Sequence, residues 1–147
     1  MKKTRVKEEK IGIFAKEMLA VFKKTSAKKT GAFVVGLSGN LGAGKTAFTK
    51  ALGSALGIKE NITSPTFVLA RVYPTKDPLF KELVHVDAYR LKDDKEFSVL
   101  KLERELDKPK TLILIEWPER IPKDFPLSAK LEFNHAGEKE REVILHI

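Results

Sequence analysis

The chain has no cysteine in its 147 residues. That absence excludes disulfides, thiolate metal sites and cysteine nucleophiles. Its three histidines are scattered without the spacing of a zinc site. No apolar run approaches the roughly 18 residues that a membrane-spanning helix needs. The charged opening, Met1 to Lys10, is not followed by a sustained apolar stretch, so it does not read as a signal peptide. A cytoplasmic protein is expected, with no membrane partner. No Asn-Lys-x-Asp guanine-reading motif occurs; Ser128-Ala129-Lys130 mimics a GTPase motif but has no companion. Acidic residues are outnumbered, 20 against 28 basic, which leaves a net charge of +8. Such an excess suits a polyanionic neighbour, RNA above all. The lysines are nevertheless spread out, with loose clusters at Lys23-Lys24 and Lys28-Lys29 and no RNA-binding motif beside them. Solubility is the stronger account of them. With 42% hydrophobic residues and no internal repeat or linker, residues 1–147 read as one domain.

What the chain does have is Gly39-Asn40-Leu41-Gly42-Ala43-Gly44-Lys45-Thr46. This fits G-x-x-x-x-G-K-[ST], a phosphate-binding loop. Before it, Ala32 to Ser38 is apolar and rich in β-branched and aromatic residues, the pattern of a buried strand. After it, Phe48, Leu52 and Leu56 share one face of a helix over Thr46 to Leu56, and Gly57 supplies the stop. Gly42 and Gly44 keep side chains out from between the main-chain amides and a ligand. The amides from Asn40 through Thr46 then form an anion nest at the positive end of the helix dipole. Lys45 brings a point charge to the terminal phosphates, and the Thr46 hydroxyl is placed for Mg²⁺. A bound nucleotide with Mg²⁺ is the expectation, and adenine is favoured over guanine.

In chain order, Glu8 to Lys24 has amphipathic spacing through Ile11, Ile13, Phe14, Met18, Leu19, Val21 and Phe22. Thr25 to Gly31 is a basic loop. Phe67 to Tyr73 reads as a strand, Pro74 to Pro78 as a turn, and Glu82 to Asp87 as a further strand. Lys92 to Leu106 reads as one helix that turns Phe97, Leu100 and Leu106 inward, with Pro109 as its breaker. Thr111 to Glu116 is the most hydrophobic run and should be a central strand. Pro118, Pro122 and Pro126 make an extended loop. Ala129 to Phe133 and Glu142 to Ile147 close the chain as strands joined at Ala136-Gly137. The sum is an α/β fold with a mixed, mainly parallel central sheet and antiparallel edge strands.

Further candidates sit at strand ends. Glu116 would emerge at the carboxyl edge of the sheet, where it can anchor Mg²⁺ or simply mark the strand leaving the core. Asp87 can orient or deprotonate an attacking water, or contact the metal from its outer shell. His85 lies one alternation step away on the same face, as an ordinary His–Asp partner or a functional group. Arg90 can complete a charge pair or stabilise charge on a γ-phosphate. Ser64 and Thr66 flank Pro65 where nucleotide switches often lie, and a plain turn reads equally well.

Taken together, the glycine loop, Ser64-Pro65-Thr66-Phe67, His85-Val86-Asp87-Ala88-Tyr89-Arg90 and Glu116-Trp117-Pro118-Glu119 resemble one family in order and spacing. That family is TsaE (formerly YjeE), the ATPases of tRNA threonylcarbamoyladenosine biosynthesis. Asn40 stands where the family often has Asp. The resemblance implies a P-loop NTPase-like three-layer fold and weak intrinsic hydrolysis of ATP. It also implies work in a complex with TsaB and TsaD subunits, near tRNA, that supports turnover of the transferase. By position, Lys45 matches the family's phosphate lysine, Thr46 and Glu116 its Mg²⁺ ligands, and Asp87 its catalytic acidic residue. Trp117 matches a tryptophan beside the nucleotide, and Ser64 to Thr66 a switch-like segment. Arg141 matches a C-terminal arginine near the nucleotide, and Glu8 lies where an adenine contact is expected. Two other readings of the residues stay open, a small P-loop kinase and a non-hydrolysing ATP-dependent assembly factor.

Overall fold

The computed structural model describes residues 1–40, 42–62 and 70–147. Leu41, Ser64, Thr66 and the first residues of the strand expected from Phe67 lie outside them. Among the described residues, seven strands form one sheet: β1 (Lys2–Lys7), β2 (Phe33–Ser38), β3 (Ala70–Pro74), β4 (Glu82–Asp87), β5 (Thr111–Glu116), β6 (Ala129–Gly137) and β7 (Glu140–His146). Their spatial order is β1-β7-β6-β2-β5-β4-β3. The central four, β6, β2, β5 and β4, are mutually parallel, while β1, β7 and β3 add on antiparallel. The expected mixed sheet with antiparallel edges is what forms.

Alternation along the parallel strands divides the core in two. Phe33, Val35 and Leu37 of β2, with Leu112 and Leu114 of β5, meet the helices α1 (Ile11–Ser26) and α2 (Lys45–Ala55) on one face. Val34, Ile113, Ile115, Val84 and Val86 form the other face, under α3 (Asp94–Val99), α4 (Leu102–Leu106), Ile121 and Phe125. Three layers result. Phenylalanines bind the first face together: Phe14 to Phe48, Phe48 to Phe133 and Phe22 to Phe33 have ring centroids 5.9, 5.6 and 5.5 Å apart.

Four stretches of the chain depart from the expected pattern. Residues 2–7 form β1, which was not expected, because Lys2, Lys3, Arg5 and Lys7 hide an alternation in which only Val6 is buried. Lysines on an edge strand discourage further pairing. Helix α1 begins at Ile11 after a 3-10 turn at Glu8–Lys10, and Ile13 is exposed rather than part of the buried stripe. The helix expected over Lys92 to Leu106 is broken at Lys101, whose φ is 53°. Phe97 and Leu102 are both buried. On a single helix, residues five apart diverge by about 140°, so the break lets both reach one core. Finally, β6 and β7 are longer than expected, with a bulge between His135 and Gly137. The exposed Asn134 and His135 carry no apolar signal there.

A polar knot fastens α1 to the β3–β4 turn. Asp77 accepts from Lys23 Nζ at 2.5 Å and from the amides of Leu79 and Phe80, both at 2.9 Å. Burial opposes ionisation of this carboxyl, but the Lys23 bond, the two amides and the Lys23 charge outweigh it and hold its pKa below the usual value. A depressed carboxyl pKa stabilises the fold above the unfolded pKa of about 4, and that contribution is lost as pH falls through the folded value. Asp77→Asn should therefore lower unfolding free energy by about 1–3 kcal/mol at pH 7. Urea titrations should show the gap between variant and parent closing below about pH 4.

Candidate functional site

The carboxyl ends of β2, β5 and β4 determine where this protein can do chemistry. Their ladders place Leu37 beside Glu116 and Glu116 beside Asp87. Paired residues share a face, so both carboxylates lie on the α1–α2 side, beside the loop that follows β2. There a cavity of about 550 Å³ opens between Gly42, Gly44, Lys45 and Thr46 on one wall and Asp87, Arg90, Glu116 and Trp117 on another. Val6, Glu8, Ile11, Phe133 and Arg141 extend it toward β1 and β7.

The loop's shape requires its glycines. Gly39 has φ 139°, and a Cβ there would sit 2.5 Å from the Phe133 carbonyl oxygen. Gly44 has φ 109° and caps α2, whose first-turn amides lack partners within the helix itself. Arg141 braces the loop from β7: it donates to the Gly42 carbonyl at 3.1 Å and to the Glu140 carbonyl at 3.0 Å.

Lys45 is buried, 6% exposed, with Nζ donating to the Gly39 carbonyl and lying 3.5 Å from the centroid of the Trp117 ring. Burial pushes its pKa below the usual lysine value, while the charges of Glu116, Glu119 and Asp87 work in the opposite direction. Trp117 reaches this position through a left-handed backbone, φ 62°, with its amide bonded to the Leu37 carbonyl at 3.0 Å. Tyr89 packs on the Trp117 ring at 5.0 Å between centroids, and the Arg120 guanidinium lies 5.2 Å from the Tyr89 ring.

Glu116 is 4% exposed, and its Oε2 is 3.3 Å from Nε2 of the equally buried His85. Asp87 Oδ1 accepts the Tyr89 amide at 3.0 Å. His85 and Asp87 do share a face, as alternation requires, but the hydrogen-bond partner of His85 is Glu116. Thr46 is exposed on the cavity wall.

The structure thus brings Lys45, Thr46, Asp87, Arg90, Glu116, Trp117, Arg141 and Glu8 to one cavity. His85 stands behind Glu116 and outside the lining. Asn40 is exposed away from the wall, its carbonyl accepting the Ala43 amide at 3.1 Å, and Ala43 is packed in the core. Tyr89, Phe133, Val6 and Ile11 were not singled out in the sequence. Tyr89 lay inside a motif already quoted, Ile11 and Phe133 were read only as parts of a helix and a strand, and Val6 lay in the charged opening.

Two oxygen donors, the Thr46 hydroxyl and the Glu116 carboxylate, face the same cavity. Among the described residues, no cluster of three or more His, Asp or Glu side chains forms a metal cage. That set fits a hard cation such as Mg²⁺, which takes one or two carboxylates and completes its shell with phosphate and water. No helix among the described residues is long and apolar enough to cross a membrane.

Comparison with known proteins agrees with this geometry. The model of the family described as threonylcarbamoyl adenosine biosynthesis protein TsaE matches residues 7–143. The tRNA threonylcarbamoyladenosine biosynthesis protein TsaE of Bacillus subtilis is 36% identical over 126 residues, 82% of this chain and 76% of that one. The protein of the same name from Streptomyces coelicolor is 45% identical over 86 residues, 58% of this chain. That match spans only 57% of the Streptomyces protein's length. A crystal structure of Bacillus subtilis YdiB superposes with a TM-score of 0.60 at 28% identity, covering 97% of this chain and 82% of that one. Glycine loop, strand-end carboxylates and a family match over nearly the full length converge, and the chain belongs to the TsaE family.

Proposed function

We propose that this protein binds and hydrolyses ATP as a subunit of the machinery that forms N6-threonylcarbamoyladenosine beside the anticodon of ANN-reading tRNAs. It acts with TsaD-like and TsaB-like subunits and supports their turnover rather than the transfer chemistry itself. Hydrolysis is weak alone and stimulated by those partners. The observation that carries the reading is the meeting of Lys45, Thr46, Asp87 and Glu116 on one cavity above the glycine loop, in a chain of this family.

On this reading the loop amides and the first turn of α2 hold the β- and γ-phosphates, and Lys45 leaves the Gly39 carbonyl to meet them. Thr46 and Glu116 would hold Mg²⁺, which when bound would neutralise negative charge on the terminal phosphates. Asp87, partly exposed beside Glu116, orients or deprotonates the attacking water. Arg90 and Arg141 supply positive charge around the phosphates, while Trp117 shields Lys45 from solvent. The wall from Val6 to Ile11, including Glu8, takes the adenosine end. Work within that complex would bring the protein near tRNA, which suits its excess of basic residues.

Phosphate release from ATP should rise when TsaB and TsaD counterparts are added. Lys45→Ala should lower it by about 10²-fold or more in either condition. Absence of stimulation with a correctly assembled complex would refute the subunit role. Transfer of phosphate to a small acceptor, instead of release, would identify a kinase.

Glu116→Gln and Asp87→Asn should leave metal-free ATP binding within about threefold of the parent while reducing release by about 10²-fold. Trp117, the only tryptophan, provides the fluorescence readout for binding.

A pH dependence follows from Lys45. The cationic form binds triphosphate, and burial lowers the free protein's lysine pKa. ATP affinity should therefore be level below that folded value and fall as pH rises through it, beginning below the ordinary lysine range. Trp117 titrations between neutral and alkaline pH test this; Lys45→Arg should displace the fall to higher pH.

A further inference from the structure

We infer that His85 is a positioning residue for the Glu116 carboxylate, acting through an Nε2–H donated to Oε2. The inference rests on the proposed role of Glu116 at Mg²⁺ and goes beyond it by assigning what fixes that ligand.

His85 is 2% exposed, in the middle of a sheet face otherwise filled by Leu83, Leu112 and Leu114. Its Nε2 lies 3.3 Å from Glu116 Oε2. An ionised carboxylate only accepts, so the ring nitrogen facing it carries the proton. The opposite nitrogen, Nδ1, is buried and has no hydrogen-bond partner among the described residues. A histidine kept for sheet packing would pair both nitrogens or give way to a leucine like its neighbours. Among the described residues this one pairs a single nitrogen, and that nitrogen faces the carboxylate of the site.

The sheet explains why the contact is diagonal. His85 is in register with Leu114, while Asp87 is in register with Glu116. The imidazole therefore approaches Glu116 from one pleat below, from the core side. The cavity side of the carboxylate stays open, and Asp87 is left to face the same cavity without bonding His85. A long, flexible carboxylate at a strand end has several rotamers. A donor on its inner oxygen selects one that keeps the outer oxygen toward Thr46 and a bound ion. Such outer partners govern metal affinity by fixing ligand orientation.

Three substitutions separate this role from packing. In glutamine the amide nitrogen falls near the position of Nε2, and in asparagine near that of Nδ1. With ATP present, Mg²⁺ is titrated and the midpoint is followed through Trp117 fluorescence; ATP binding in EDTA is measured separately. His85→Leu and His85→Asn should raise the Mg²⁺ midpoint about tenfold or more. His85→Gln should stay within about threefold of the parent, and all three should bind ATP alike in EDTA. If His85→Leu does not fold, the contrast between glutamine and asparagine carries the test. Equal midpoints for those two, whether both normal or both shifted, would overturn the inference. A Glu116→Gln control with an unchanged midpoint would remove the metal role of Glu116 and the inference with it. A shifted Glu116→Gln beside three unshifted His85 variants would overturn the inference alone.

Discussion

The parallel ladders joining β2, β5 and β4 govern everything at the site. They set Leu37, Glu116 and Asp87 in one row, facing α1 and α2. A one-residue slip in β5 would exchange its faces, sending Glu116 to the side of Val84 and Val86 and turning Ile113 and Ile115 toward α1 and α2. Buried carboxylates are expensive unless hydrogen-bonded or paired. Here the expense is contained because Glu116 ends its strand, has His85 behind it and has the positive charge of Lys45 nearby. The same apolar alternation that fixes the register therefore fixes where the two acids emerge.

Around that row the molecule keeps two unfavourable local arrangements. Lys45 is a buried ammonium, disfavoured by its own desolvation. Trp117 occupies left-handed backbone, which costs roughly 1–2 kcal/mol in a residue with a Cβ. The second arrangement serves the first. By turning the chain directly after Glu116, it lays an aromatic face over the Lys45 ammonium. The other non-glycine residues in left-handed backbone, Lys101 and Lys110, lie away from the cavity, whereas at Trp117 the strain falls on a residue that lines it.

Much of this was legible in the residues because the signals were local. The glycine loop announces itself through spacing, and β5 through five consecutive apolar or β-branched residues before a lone acid. What escaped has a common cause. β1 is an edge strand whose solvated side chains need no apolar partner, so Val6 alone could not identify it. Residues 92–106 have helical composition throughout, but the tertiary demand to bury both Phe97 and Leu102 overrides local propensity. The partner of His85 was unreadable for a different reason. Alternation places His85 and Asp87 on one face, and only the register with β5 reveals that Glu116 lies within reach of the imidazole.

The register also accounts for the far wall of the cavity. Val6 and Glu8 come from the start of the sequence, Phe133 and Arg141 from near its end, and they meet because β1 pairs with β7 and β7 with β6. Val6 stands opposite Arg141 in that ladder, and Arg141 in turn bonds the carbonyl of Gly42. The glycine loop is thus held from one side by strand β2 and helix α2, which are its neighbours in sequence, and from the other by the hairpin, which is not. A loop rich in glycine has high conformational entropy to lose on ordering. Contact from a distant hairpin lowers that loss for any ligand that needs the loop in its binding shape. A ligand spanning the cavity would in turn stabilise this arrangement, since it binds only the assembled wall. Loop and hairpin are therefore coupled through Arg141, although about a hundred residues of chain separate them.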